Sequence, residues 1–153
     1  MSGEGLDTRF DSAEESPGLL LWQVTNRWQA AQRAALKPYG LTHVQFVLLA
    51  ALTYLGAEGP VTQKALADQA ATDPMMTSQV LRALEGQGLV ERRAHPHDKR
   101  ARALEVTEEG RALANRAVAV VEACDAEFFG LLEGQGEAAL PDFTRALRAL
   151  ARR

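Results

Sequence analysis

The chain predicts a mainly α (α+β) fold, on three observations. Apolar residues recur at steps of three and four in several separate segments; one pair of short alternating runs flanks the basic loop His95-Pro-His-Asp-Lys-Arg100; and Gly88 stands as a stop between the last short helical pattern and the first of those runs. Between Thr62 and Gly110 the order is therefore helix, helix, glycine stop, hairpin. That order builds a winged helix-turn-helix, a shape that places one helix in a DNA groove.

The 153 residues fall near the usual size of a single domain, and 46% hydrophobic with 24% charged residues is the make-up of an ordinary globular chain. The single cysteine, Cys124, excludes an intrachain disulfide framework and suits a reducing compartment, so a cytoplasmic protein is expected. Residues 1–16 carry Glu4, Asp7, Asp11, Glu14 and Glu15 against Arg9 alone and hold no apolar run; they read as a flexible acidic tail rather than a secretory signal. No stretch approaches the roughly 18 apolar residues of a membrane span.

A net charge of -3 is unusual for a DNA binder, because phosphate contact favours an excess of Lys and Arg. The local balance differs. From Arg82 to Arg102, Arg82, Arg92, Arg93, Lys99, Arg100 and Arg102 face only Glu85, Glu91 and Asp98, leaving a net of +3.

The elements follow in order. Pro17 opens a first helix with Leu21, Val24, Trp28, Ala31 and Ala35 on one stripe, closed by Pro38-Tyr-Gly40. Thr42 caps a second, apolar almost all round, with Val44, Val47, Leu48, Ala51, Leu52 and Leu55 on one side. Gly56 to Pro60 is turn chemistry, Val61 adds a short strand, and Thr62 caps a third helix to Ala70, with Leu66 and Ala70 inward. Thr72-Asp73 supplies a capping side chain and Pro74 a first helical position for a fourth helix running to Gln87, after which Gly88 fits a left-handed cap. Leu89–Ala94 and Arg102–Thr107 are the candidate strands, joined through Pro96 to Ala101.

From Thr107 a long helix is expected, with Glu108 and Glu109 at its positive end and Leu113, Ala117, Val120, Val121, Cys124, Phe128 and Leu131 on a stripe. Gly134 and Gly136 interrupt it, and a last amphipathic helix from about Leu140 carries Phe143, Leu147 and Leu150. The expected organisation is thus a tail (1–16), a helical dimerisation region (17–40 and 107–153) and a winged helix-turn-helix (41–106). The terminal helices carry more apolar surface than so small a module can bury, which points to a two-fold dimer presenting two reading helices to adjacent major grooves; a monomeric helical bundle is the alternative.

With the elements placed, Asp73-Pro-Met-Met-Thr-Ser-Gln-Val-Leu-Arg-Ala-Leu-Glu-Gly-Gln-Gly-Leu-Val-Glu-Arg92, His97-Asp-Lys-Arg100, Leu104-Glu-Val-Thr-Glu-Glu-Gly110 and Gly40-Leu-Thr-His-Val-Gln-Phe46 together resemble the MarR family of bacterial transcriptional regulators, over roughly residues 17–153. The resemblance implies a homodimer of triangular outline on a pseudo-palindromic double-stranded operator, often a repressor and often releasing DNA when a small molecule binds, aromatic compounds being among the candidates.

By spacing, Thr77, Val80, Leu81 and Leu84 form the buried side of the fourth helix, leaving Met75, Met76, Ser78, Gln79 and Arg82 outward. Gln79 can bond an adenine edge in two places, Arg82 can reach guanine or phosphate, and a Met thioether packs on thymine methyls. At the wing, Arg100 is the candidate for minor-groove insertion, with Arg92, Arg93, Lys99 and Arg102 as phosphate contacts. Asp98 matches the Asp-x-Arg pattern of the family, which implies a wing-orienting role. For each of these charges a merely solvated side chain is the competing reading, and for the methionines core filling.

The family's effector pocket lies between the dimerisation helices and the DNA module, which makes Trp22, Trp28, His43 and Phe46 candidate lining residues; buried aromatics of this kind are equally read as plain core. Cys124, on an apolar stripe, reads as an inert thiol rather than a redox switch. His95, His97 and Asp98, with His43 as a fourth ligand, raise a zinc site that the exposed wing position disfavours, so no metal and no cofactor are expected. Ser78 and His43 lack any nucleophile elbow, phosphate loop or paired carboxylates, and an enzyme is not expected. A winged-helix module binding protein instead of DNA is the remaining alternative.

Overall fold

The computed structural model describes residues 5–100 and 102–152; Glu4 of the acidic tail and Ala101 of the wing lie outside the described residues. Six helices and a two-stranded sheet follow in the order α1 (Pro17–Leu36), α2 (His43–Gly56), α3 (Gln63–Ala70), α4 (Pro74–Gly86), β1 (Val90–Ala94), β2 (Arg102–Val106), α5 (Glu108–Phe129) and α6 (Ala139–Ala151). The mainly helical fold with its hairpin is as expected. Short 3-10 turns cover Ala13–Glu15, Lys37–Tyr39 and Gly130–Gln135.

The caps explain the boundaries. Ser16 Oγ accepts the Leu19 N–H at 3.2 Å with Pro17 at the first helical position. Thr42 and Gln45 form a reciprocal capping box at α2: Thr42 Oγ1 accepts from Gln45 N at 3.2 Å and Gln45 Oε1 accepts from Thr42 N at 3.1 Å. α4 ends in a Schellman motif, with Gly88 at φ 75°, Leu89 N–H donating to Leu84 O and Gly88 N–H to Glu85 O, both at 3.0 Å. Leu89 is thereby consumed by the cap, so β1 begins one residue later than the alternation suggests.

α2 is the centre of the core: Phe46, Leu48, Leu49 and Leu52 are buried against Leu36, Leu66, Leu81, Leu84, Leu104, Ala117 and Val121 from the surrounding elements. Val61 bridges Leu104, whose N–H donates to Val61 O at 2.7 Å, so the expected short strand is one bridge that fastens the hairpin to the helical layer.

Two stripes differ from expectation. In α1 the buried residues are Gln32 and Leu36, while Leu19, Leu20, Leu21 and Val24 are exposed. In α5 the α-helical path stops at Phe129, earlier than Gly134, and the following 3-10 turn rotates Leu131 out to solvent. α6 buries none of its residues and meets the rest of the chain mainly through that turn and the Phe129–Phe143 ring contact at 5.8 Å. No single helix among the described residues is long and apolar enough to cross a membrane.

Candidate nucleic-acid interface

Helix α4 is fixed at its base before it presents anything outward. Asp73 Oδ1 accepts the Met76 N–H at 2.8 Å, and the Thr77 hydroxyl donates to Asp73 O at 2.7 Å. Since that bond uses the only Thr77 hydroxyl proton, the 2.6 Å contact between the Thr72 and Thr77 hydroxyls has Thr72 as donor. The buried hydroxyl of Thr77 is thus satisfied twice, and the turn between α3 and α4 is locked. Ala71 takes a left-handed φ of 54° in that turn, with Thr72 N–H on Ala67 O at 3.0 Å.

Thr77, Leu81 and Leu84 turn inward, Val80 is half-buried, and the opposite face carries Met75 at 73% exposure, Met76 at 43%, Gln79 and Arg82. Ser78 is half-buried and accepts a 3.1 Å hydrogen bond from Arg82 Nη2, so it holds the arginine along the helix. The outward set thus forms one continuous strip of donors, an amide and two thioethers, the mix that base edges and thymine methyls call for.

The wing is antiparallel, with Arg92 opposite Leu104 and Arg93 opposite Ala103. Its arginines fall into two classes. Arg92 donates through Nε to Glu85 Oε1 and through Nη1 to Gln63 Oε1 at 3.3 Å, tying β1 to α4 and α3. Arg93 lies between Glu91 and Glu105, each at 3.1 Å. Charge alone makes both candidate phosphate contacts; their guanidinium groups are engaged within the chain. Lys99, Arg100 and Arg102 are exposed, and among the described residues none has a carboxylate within salt-bridge range. Asp98 Oδ1 accepts the Arg100 backbone N–H at 2.9 Å, so it shapes the tip through the main chain of Arg100.

The four residues expected around an effector do not share one pocket. Phe46, at 6% exposure, belongs to the core, and Trp22, at 68%, stands on the outside of α1. Trp28 and His43 do meet, edge to face with ring centroids 4.9 Å apart. Around them sits a polar cluster that apolar periodicity passed over: Asp125 Oδ1 accepts from Trp28 Nε1 at 2.8 Å and from Gln32 Nε2 at 2.6 Å, while the buried Gln32 Oε1 has no hydrogen-bond partner among the described residues. Burial holds the His43 imidazole below its ordinary value and the Arg33 charge adds to this, against the pull of Asp125. The cluster joins α1, α2 and α5. Its available signal was polar residues, Gln32 and Asp125, on faces otherwise apolar.

His95 and His97 meet edge to face with ring centroids 6.2 Å apart in the wing, and among the described residues no three His, Cys, Asp or Glu side chains converge on a metal position. Cys124 is half-buried, its thiol pushed up by burial and by Asp125 and Glu127.

Known proteins share this arrangement. A family model described as MarR family matches residues 41–101, the span from the entry of α2 to the wing. The chain is 46% identical to the HTH-type transcriptional regulator YdcH of Bacillus subtilis, over 80% of this chain and 84% of YdcH. It is 39% identical to the HTH-type transcriptional repressor Rv2887 of Mycobacterium tuberculosis, over 78% of this chain and 85% of that one. The structure of Rv2887 in complex with DNA superposes with a TM-score of 0.65, covering 88% of this chain and 97% of Rv2887. CouR of Rhodococcus jostii RHA1, bound to p-coumaroyl-CoA, superposes with a TM-score of 0.81 at 29% identity, covering 94% and 96%. These relatives are regulators and not enzymes, and the chain belongs to the MarR family of DNA-binding transcriptional regulators.

Proposed function

We propose that the chain is a ligand-responsive repressor that binds a pseudo-palindromic operator as a homodimer in the cytoplasm. The observation that carries this is the pairing of a solvent-facing reading strip on α4 with apolar surface left uncovered on α1 and α6. The strip and the wing supply Met75, Met76, Gln79 and Arg82 for the major groove, with Ser78 steadying Arg82. Arg100 serves the minor groove, Lys99 and Arg102 the phosphates, and Asp98 orients the tip. Arg92 acts at one remove, by bracing the wing.

Exposed Leu21, Val24, Leu147 and Leu150 need a cover, and a second copy related by a two-fold axis supplies it while setting two α4 helices one helical turn of DNA apart. The dimerisation region is therefore assigned to 17–40 and 107–153 and the reading module to 41–106. The repressor named Rv2887 and its DNA complex support this reading, and CouR with its bound thioester supports a small-molecule effector. Aromatic compounds are the first class to test, with Trp28 and His43 as the contacts favoured by geometry.

A gel shift on the DNA upstream of the chain's own gene tests the proposal. A salt-sensitive, sequence-specific complex of two chains per site is expected. Binding that is equal on unrelated DNA, or one chain per site, would sink it.

A further inference from the structure

We propose that Met75 and Met76 are an oxidation trigger: conversion of their thioethers to sulfoxides by hypochlorous acid or a peroxide weakens operator binding while the fold stays intact. The inference rests on the reading of α4 as the DNA-facing helix.

The two side chains lie in the first turn of α4 at 73% and 43% exposure, accessible to a small oxidant before DNA is bound. Two of the chain's three methionines are therefore on the strip that reads DNA; the third is Met1. The reaction at each is simple. A sulfur lone pair attacks the electrophilic chlorine of hypochlorous acid, the S–Cl bond forms as the Cl–O bond breaks and hydroxide leaves; water then adds to sulfur, chloride leaves, and the two protons of that water pass to solvent. With hydrogen peroxide the O–O bond breaks and water leaves. In either case sulfur is oxidised by two electrons and the oxidant is reduced by two.

The competing sulfur is less well placed. Cys124 is half-buried on α5, and burial, helped by Asp125 and Glu127, holds its thiol protonated. A thiol must ionise to react as a strong nucleophile, whereas a thioether has no proton to lose.

Oxidation alters recognition and leaves folding alone for a geometric reason. The helix start is fixed by Asp73 Oδ1 on Met76 N–H and by Thr77 on Asp73 O, bonds that use no methionine side-chain atom. The core contacts of α4 come from Thr77, Leu81 and Leu84. A sulfoxide replaces a soft apolar surface with a polar acceptor oxygen. Opposite a thymine methyl it loses the apolar contact, and opposite a phosphate it sets acceptor against anion.

The test is operator affinity by fluorescence anisotropy after stoichiometric hypochlorous acid, with peptide mass spectrometry locating the added oxygens. Affinity should fall about tenfold, the loss of roughly one base-edge contact, in step with sulfoxide at both positions, with the thermal midpoint unchanged. Methionine sulfoxide reductases A and B should restore it. The double variant Met75→Leu, Met76→Leu, measured against its own untreated affinity, should lose nothing further on exposure to oxidant; Cys124→Ser should respond like the parent. Undiminished binding by chain carrying both sulfoxides overturns the trigger, as does a response that persists in the double variant or vanishes in Cys124→Ser. If the unoxidised chain forms no sequence-specific complex, the DNA-facing reading has failed, and the trigger with it.

Discussion

Gly110, in the first turn of α5, faces Leu89 so closely that a β-carbon placed on it would overlap the Leu89 carbonyl oxygen and lie 2.8 Å from Val106 Cγ2. The same carbonyl accepts the Thr107 N–H at 3.0 Å, Thr107 Oγ1 donates to Gly88 O at 2.8 Å, and Gly110 N–H donates to Thr107 Oγ1 at 3.0 Å. Three elements meet at this junction: the C-terminus of α4, the root of the wing and the start of the long helix that leads away to α6. The three are therefore fastened to one another through main-chain groups.

Gly110→Ala must push two backbone segments apart. We expect a loss of about 2 kcal/mol or more, read as a lower urea midpoint, since the clash is with main chain and with a β-branched side chain that has few other rotamers. A change below about 0.5 kcal/mol would show that the junction yields at little cost.

The two classes of wing arginine separate in a salt titration. Arg100→Ala should weaken operator binding and reduce the slope of log affinity against log salt by about one. Arg92→Ala should leave that slope unchanged and lower stability by about 1–2 kcal/mol, because it strands Glu85 and Gln63, both partly shielded from solvent. Equal slope changes for both variants would refute the bracing role.

Locally encoded features were legible in the sequence. Asp73-Pro74 and Gly88 bound α4 through contacts within a few residues, and Leu104 and Val106 share the face of the two-stranded sheet that meets the core, although the neighbouring Ala103 is buried as well. What was missed depends on neighbours distant in sequence. Gln32 and Asp125 find each other 93 positions apart, so neither has a local signature. The guanidinium of Arg92 resembles a phosphate contact until the fold brings Glu85 and Gln63 to it. Ala71 at positive φ carries no cue, since its type argues against that conformation. Leu131 followed the periodicity of α5, but an apolar period cannot tell where the helix tightens into a 3-10 turn.

Ala71 gives a stabilising change. Its left-handed conformation costs about 1–2 kcal/mol for a residue with a β-carbon, against about 0.5–1 kcal/mol of extra chain entropy lost by glycine. Ala71→Gly should therefore raise stability by about 0.5 kcal/mol. A clear destabilisation in the same denaturation assay would contradict this account of the turn.

His43 links stability to pH. Its folded pKa lies below the ordinary imidazole value, chiefly through burial. Well above about pH 6.5 both folded and unfolded states hold it neutral and it contributes no slope. As pH falls below that value the unfolded chain takes up a proton that the folded chain resists, so stability declines with falling pH until the folded imidazole also titrates. His43→Gln removes this component, and the urea midpoints of parent and variant should converge toward acid relative to their separation near neutrality. Parallel curves between about pH 7.5 and 5.5 would contradict the assignment.

The last prediction concerns assembly. Phe143, Leu147 and Leu150 recur along α6, yet the helix buries nothing in its own chain and Leu150 is 66% exposed. An apolar stripe with no intramolecular partner costs free energy unless another surface removes it from water, and the exposed leucines at the start of α1 pose the same problem. Leu150→Glu places a charge in the contact without touching the core, so the chain should remain folded by circular dichroism while sedimentation shows a shift from dimer to monomer. Operator affinity should fall about 100-fold or more, because each half-site must then be bound without the gain of a linked second reading helix. A variant that stays dimeric would place the dimer contact elsewhere, and a monomer that holds the full operator with parental affinity would refute the gain from a linked second reading helix.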